Sequence, residues 1–180
     1  KGFNTPISTH LEIDIENNIH CTTGSLGHGL PISVGMALAR KLQNKPGNIY
    51  VMISDGECQE GTTWESLLIA ARHKLDNLFI FVDYNKIQAL STLEEALPLD
   101  NLASKFKAFN WDTLEVTDGH SFDEILSALK KENTSLKPRV IIFNTVKGKG
   151  VKAFEGDPIW HARKIKGIEM EVGKKELGLT

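Results

Sequence analysis

Apolar positions gather in four short runs, "NIYVMI" (48–53), "NLFIFVD" (77–83), one around "WDTLEV" (111–116) and "RVIIFNTV" (139–146). Each is too short for a helix and rich in β-branched or aromatic residues, which predicts strands. Between them lie stretches with helical spacing. In 25–44, Leu30, Val34, Ala37, Leu38 and Leu42 recur at that spacing after a glycine-rich entry, and "KPG" follows as a stop. Further helices are predicted over 62–75, where Trp64, Leu67, Leu68 and Ala71 read as core, over 102–110, and over 121–132, where Ser121 and Glu124 form a capping box. Residues 1–23 read as a loop with a turn at "ENN" (16–18), and the charged stretch 164–180 reads as a peripheral tail.

Near-continuous apolar strands alternating with helices predict an α/β fold, a mostly parallel sheet flanked by helices and buried on both faces. Ligands of such sheets bind beyond the carboxyl ends of the strands. The segments 54–61, 83–88 and 147–150 should therefore share one edge.

Composition narrows the class. With 180 residues, 41% hydrophobic and 24% charged, one globular domain over 1–180 is expected. A formal charge of −2 argues against nucleic acid or an anionic membrane as partner and leaves room for a small polyanionic ligand. Cys21 and Cys58 make neither a disulfide framework nor a CxxC pair, and no apolar run reaches the eighteen or so residues of a membrane span. A reduced, cytoplasmic setting is expected. The chain starts at Lys1 rather than Met, so an N-terminally truncated chain is expected, either a processed protein or a piece of a longer one.

Candidate chemistry sits at the strand ends. Asp55 ends the first strand and Asn85 the second, each offering an oxygen at the same sheet edge. Mg²⁺ is usually held by one or two protein oxygens together with phosphate and water. Gly56 would let a ligand approach the backbone, and the helix from Thr62 would aim N–H groups at an anion. The competing reading is a plain strand-to-helix turn, with Glu57 and Glu60 favouring the helix dipole. The pattern alone leaves both open.

Five ordered blocks add to this: "GSLGHGLPISVGMALA" (24–39), "SDGECQEGTTWE" (54–65), "VDYNKI" (82–87), "TDGH" (117–120), and "TVKGKGV" (145–151) followed by "WH" (160–161). Together they resemble the thiamine-diphosphate-binding half of transketolase from about residue 9 to residue 163. The resemblance implies the thiamine-diphosphate-binding fold, with thiamine diphosphate and Mg²⁺ as cofactors. It implies Asp55, Asn85 and the carbonyl of Ile87 as metal ligands, and Gly56 beside the diphosphate. Ser54 stands where the family has a glycine. Gly24 and Leu26 match the loop whose backbone faces the aminopyrimidine ring, and Glu60 matches an acid near the subunit interface beside the cofactor. His10 matches a histidine at the reacting end of the sugar, although Thr9 and Leu11 replace the usual Gly and Pro beside it. His161 resembles one that closes over cofactor and substrate. Both would act as acid/base groups.

The implied activity is transfer of a two-carbon ketol unit from a ketose phosphate to an aldose phosphate. The family's ylid-forming glutamate belongs to a pyrimidine-binding domain not recognisable here, so the chain alone should be inactive. "GSLGHGL" and "DPIWH" look like split transketolases, which implies a partner on a separate polypeptide, in a dimer or heterotetramer. Alternatives are a non-catalytic regulatory subunit retaining the fold, and another thiamine enzyme of the 2-oxo acid dehydrogenase or deoxyxylulose phosphate synthase type. A nicotinamide-binding domain is set aside because no GxGxxG follows the first strand.

Overall fold

The computed structural model describes residues 10–89 and 91–179. Residues 1–9, the start of the expected loop and the site of Thr9, lie outside the described residues. The elements run α1 (Gly29–Leu42), β1 (Ile49–Ser54), α2 (Gly61–Arg72), β2 (Leu78–Tyr84), α3 (Leu93–Ala96), α4 (Leu102–Ala108), β3 (Asp112–Val116), α5 (Phe122–Lys130), β4 (Arg139–Asn144) and α6 (Ile168–Glu176). Single 3-10 turns occur at Ile15–Asn17, Gly56–Gln59 and Pro158–His161. The strands form one parallel sheet in the order β1-β2-β4-β3.

The main core lies on one face of this sheet. Leu78, Ile80 and Val82 of β2 and Val140 and Ile142 of β4 point into it, against Leu30, Val34 and Ala37 of α1, Leu67 and Ala70 of α2, and Phe106 of α4. A smaller cluster, Val116, Ile141 and Phe143 with Ile125 and Ala128, fills the other face beneath α5. The expectation of strands buried on both faces therefore holds for β4 and not for β1, where Tyr50 and Met52 are 59% and 69% exposed. The short helix α5 packs over β3, and no described helix covers the second face of β1.

Local sequence explains the boundaries. Helix α1 stops where Asn44 takes a left-handed φ of 51° ahead of Pro46 and Gly47, and Leu42, the last of its helically spaced apolar residues, is 74% exposed in the final turn. In α2 the buried stripe is Thr63, Ser66, Leu67 and Ala70, so Leu68 lies outward at 60% exposure. At α5 the Ser121 hydroxyl accepts the Glu124 N–H at 3.4 Å, but the Glu124 carboxylate accepts the Asp118 N–H at 3.0 Å rather than that of Ser121, so only half of the expected capping box forms. The charged tail carries α6, which packs on Phe154 through Gly173, where an added Cβ would stand 3.5 Å from the ring, an ordinary van der Waals contact. No described helix is long and apolar enough to cross a membrane.

Candidate active site

The parallel register aligns Ser54 with Asp83, and Asp83 with Phe143, so the loops after β1, β2 and β4 leave the sheet at one edge as expected. Asp55 follows β1 and is 1% exposed. One of its carboxylate oxygens accepts the Gly56 N–H at 2.8 Å and the other accepts the Lys86 N–H at 2.6 Å. Two backbone donors from two strand ends thus fix the orientation of this carboxylate. Burial pushes its pKa above the ordinary carboxylate value, Asp83 adds to the rise, and the two N–H donors and Lys147 oppose it. A cation beside Asp55 would relieve that burial cost.

Asn85 lies just past β2. Its Oδ1 accepts the Ile87 N–H at 3.0 Å, and its Nδ2 donates to Asp83 at 3.0 Å. Ile87 forms an antiparallel bridge with Thr92. The hydrogen bonds of that bridge run from the Gln88 N–H to Ser91 and from the Leu93 N–H to Lys86, leaving the Ile87 carbonyl out of the pairing. Asp55, Asn85 and this carbonyl are all oxygen donors at one sheet edge. No group of three or more His, Cys, Asp and Glu that would cage a metal occurs among the described residues. A carboxylate, an amide oxygen and a carbonyl completed by ligand oxygens suit Mg²⁺ better than an all-protein cage does.

The loop Gly24–His28 is clamped to this edge. Glu57 accepts the Gly27 N–H with one carboxylate oxygen at 3.2 Å and the Ser54 N–H with the other at 3.0 Å. The Thr62 hydroxyl donates to the Gly27 carbonyl at 2.7 Å. Gly24 lies under His10, whose Cδ2 would be 3.2 Å from an added Cβ, and Gly27 lies against Glu60. His10 and Gly24, and Glu60 and the glycine loop, are thereby brought together. Leu26 is 52% exposed. The Ser54 hydroxyl turns into the 3-10 turn to accept the Glu57 N–H at 3.2 Å, so the residue at the family's glycine position is accommodated locally. This turn separates Gly56 from α2, which begins one turn further from Asp55 than a direct strand-to-helix junction would place it. A cavity of about 580 Å³ opens beside Leu11, Gly24, Leu26, Met52 and Glu57; its lining includes neither Asp55 nor Asn85.

His161 ends the turn Pro158–His161, where Trp160 stacks on Phe154 at 4.2 Å between ring centroids and Arg163 lies 4.7 Å over the indole. Burial lowers the His161 pKa, and Lys147 lowers it further. Lys147 acts on Asp55 as well, so the loop after β4 links the two electrostatically. His120 of "TDGH" accepts the Val146 N–H at 2.7 Å, tying that loop to the end of β3.

Sequence reasoning missed Glu57 as a clamp, reading it only as a helix-dipole acid. It also missed Asp83 and Thr145. The i, i+2 spacing of Asp83 and Asn85 was the available signal, since alternate residues of a strand share a face. The Thr145 hydroxyl donates to the Asp83 carboxylate across 62 positions, a pairing with no local signature.

A family profile described as "Transketolase, thiamine diphosphate binding domain" matches residues 1–180. An apulose-4-phosphate transketolase subunit of Actinobacillus succinogenes is 41% identical over 159 residues, 88% of this chain and 57% of that protein. The 6-deoxy-6-sulfo-D-fructose transketolase subunit SqwG of Clostridium sp. (strain MSTE9) is 41% identical over 162 residues, 89% of this chain and 58% of that protein. The chain thus spans little more than half of these relatives. A transketolase crystal structure from Campylobacter jejuni superimposes with a TM-score of 0.81 at 31% identity, covering 91% of this chain and 27% of that one. The fold, the ordered strand-end residues and these similarities together place the chain in the transketolase family, as a section that binds thiamine diphosphate.

Proposed function

We propose that this chain supplies the diphosphate- and metal-binding half of a split transketolase that moves a two-carbon ketol unit between sugar phosphates. The observation that carries the reading is the meeting of Asp55, Asn85 and the Ile87 carbonyl at one edge of the parallel sheet. These three would hold Mg²⁺, and Gly56 would lie against the diphosphate. Gly24 and Leu26 would present backbone to the aminopyrimidine ring. Thiamine diphosphate, when bound, supplies the carbon nucleophile and the electron sink for cleaving and forming the sugar carbon–carbon bond.

The chain's own residues orient and protonate. His10, packed on Gly24, would sit at the reacting end of the sugar. His161, whose pKa is lowered by burial and by Lys147, would accept a proton from a substrate hydroxyl or return one. Glu60, exposed at the start of α2, would meet the partner. The partner is a pyrimidine-binding subunit, and a dimer of such pairs completes the assembly. Two relatives that bear subunit names favour this arrangement. One domain over 1–180 and a cytoplasmic setting go with this reading.

The test is thermal denaturation of the chain with Mg²⁺ and thiamine diphosphate, with and without a pyrimidine-binding partner, followed by a ketol-transfer assay on the mixture. At a hundredfold excess over Kd the ligand adds about 2.7 kcal/mol, or about 5–10 °C for a chain of this size. The shift should require Mg²⁺, vanish in Asp55→Ala and accompany ketol transfer in the mixture. Binding without transfer in a competent pair points to the non-catalytic reading, and absence of any shift overturns the cofactor reading.

A further inference from the structure

Asn85 offers an amide, and an amide has two chemically opposite ends. Only its oxygen can serve a cation, so the site works only if the side chain is held the right way round. Two contacts settle that in this structure. Asp83 faces the nitrogen end at 3.0 Å and the Ile87 N–H faces the oxygen end at 3.0 Å. A carboxylate only accepts hydrogen bonds and a backbone N–H only donates them. The flipped amide would set oxygen against oxygen at one end and N–H against N–H at the other.

Asp83 is itself held. Its second carboxylate oxygen accepts from the Thr145 hydroxyl, and Thr145 lies just past β4, the strand paired to β2. The Thr145 methyl in turn rests against Gly119, where an added Cβ would come within 2.6 Å of it. The Asp83 carbonyl accepts the Asp55 N–H at 3.3 Å, so the residue also touches the other ligand strand. The segments after β2 and β4 thus meet at the Asp83 carboxylate, the segment after β1 reaches its carbonyl, and Gly119 after β3 backs Thr145.

We propose that Asp83, braced by Thr145, is the positioning residue that turns the Asn85 amide oxygen toward the metal. The inference rests on the metal reading given above for Asp55, Asn85 and Ile87. On Asn85, Asp83 acts through a hydrogen bond that any acceptor oxygen in its place could supply. Its removal leaves the Asn85 amide held by the Ile87 N–H alone, with nothing to engage its nitrogen end, which weakens divalent-cation binding without dismantling the sheet.

The experiment is a Mn²⁺ titration of the chain with thiamine diphosphate present, following free Mn²⁺ by electron paramagnetic resonance, with metal-free melting temperatures recorded alongside. Asp83→Leu, similar in size but unable to accept, should weaken Mn²⁺ about 10–100-fold, as expected for loss of an outer-shell partner. Asp83→Asn keeps an acceptor oxygen and should retain near wild-type affinity. Thr145→Val should shift affinity in the same direction as Asp83→Leu, and it decides the matter alone if the leucine variant fails to fold. Wild-type affinity in Asp83→Leu, or in Thr145→Val where the leucine variant does not fold, overturns the inference. So does an Asp83→Asn as weak as Asp83→Leu, which would assign the effect to charge. If Asp55→Ala binds Mn²⁺ as the wild type does, the metal reading itself falls and this inference falls with it. If Asp55→Ala loses Mn²⁺ while Asp83→Leu keeps it, only the role of Asp83 is refuted.

Discussion

Gly27→Ala probes the lock between the glycine loop and the Asp55 turn. Gly27 has φ +75°, in the left-handed region. An added Cβ would stand 2.5 Å from the Thr62 hydroxyl oxygen and 2.8 Å from the Glu60 Cβ. Neither neighbour gives way cheaply. The Thr62 hydroxyl is bonded to the Gly27 carbonyl, and the Glu60 Cβ is fixed to the backbone at the start of α2. The left-handed conformation costs about 1–2 kcal/mol for a residue with a Cβ, and overpacking about 1–3 kcal/mol, a total of about 2–5 kcal/mol. For a chain of this length that lowers Tm by about 4–20 °C. Calorimetric melting reads it directly, with Gly61→Ala as control, because an added Cβ at Gly61 meets nothing within 4 Å and joins the first turn of a helix. Gly61→Ala should match the wild type or exceed it slightly. A Gly27→Ala protein melting within about 2 °C of the wild type would mean a loss below about 1 kcal/mol. The clamp of Glu57 and Thr62 on the loop would then be refuted.

Two further outcomes are expected. Cys58 is 1% exposed with its thiol pushed up to about 12, by burial first and by Asp55 and Glu57 next, so a disulfide reagent at neutral pH should modify the half-buried Cys21 first and Cys58 only on unfolding; two fast thiols in the native protein would contradict this. The His161 ring should titrate below the ordinary 6.5 in a proton NMR experiment, and Lys147→Gln should move its midpoint upward because a neighbouring positive charge opposes protonation; a native midpoint at or above 6.5 would refute the placement.

Much of the architecture was legible because it rests on short-range periodicity. All four strands and the helices α1, α2, α4 and α5 follow apolar runs and stop signals to within four residues of their observed bounds. Helix α6 escaped because charged residues are interspersed through 164–180 and leave no broad apolar stripe; its burial comes through Gly173 against Phe154, which composition does not announce. The phase of α2 was misjudged at Leu68 because adjacent leucines sit about 100° apart on a helix, so only one faces the core. Within the site, Asp55 and Asn85 stood out as polar residues ending apolar strands. The contacts that hold the site together did not, since Glu57 reaches Gly27 across 30 positions and Thr145 reaches Asp83 across 62. Such pairings are products of strand order, and no window along the chain contains both partners.

The two candidate side-chain ligands differ in how they are held. Asp55 is gripped at both oxygens by main-chain N–H groups of Gly56 and Lys86, which substitution of the neighbouring side chains leaves in place. Asn85 is held at one end by a side chain, and that side chain by another. Mutational drift can therefore rewrite the letters around Asp55 at little cost while the backbone path survives. Positions 83, 85 and 145 must change in step. Cation preference in this lineage would be most open to retuning there, and a library aimed at altering it should randomise those three residues together.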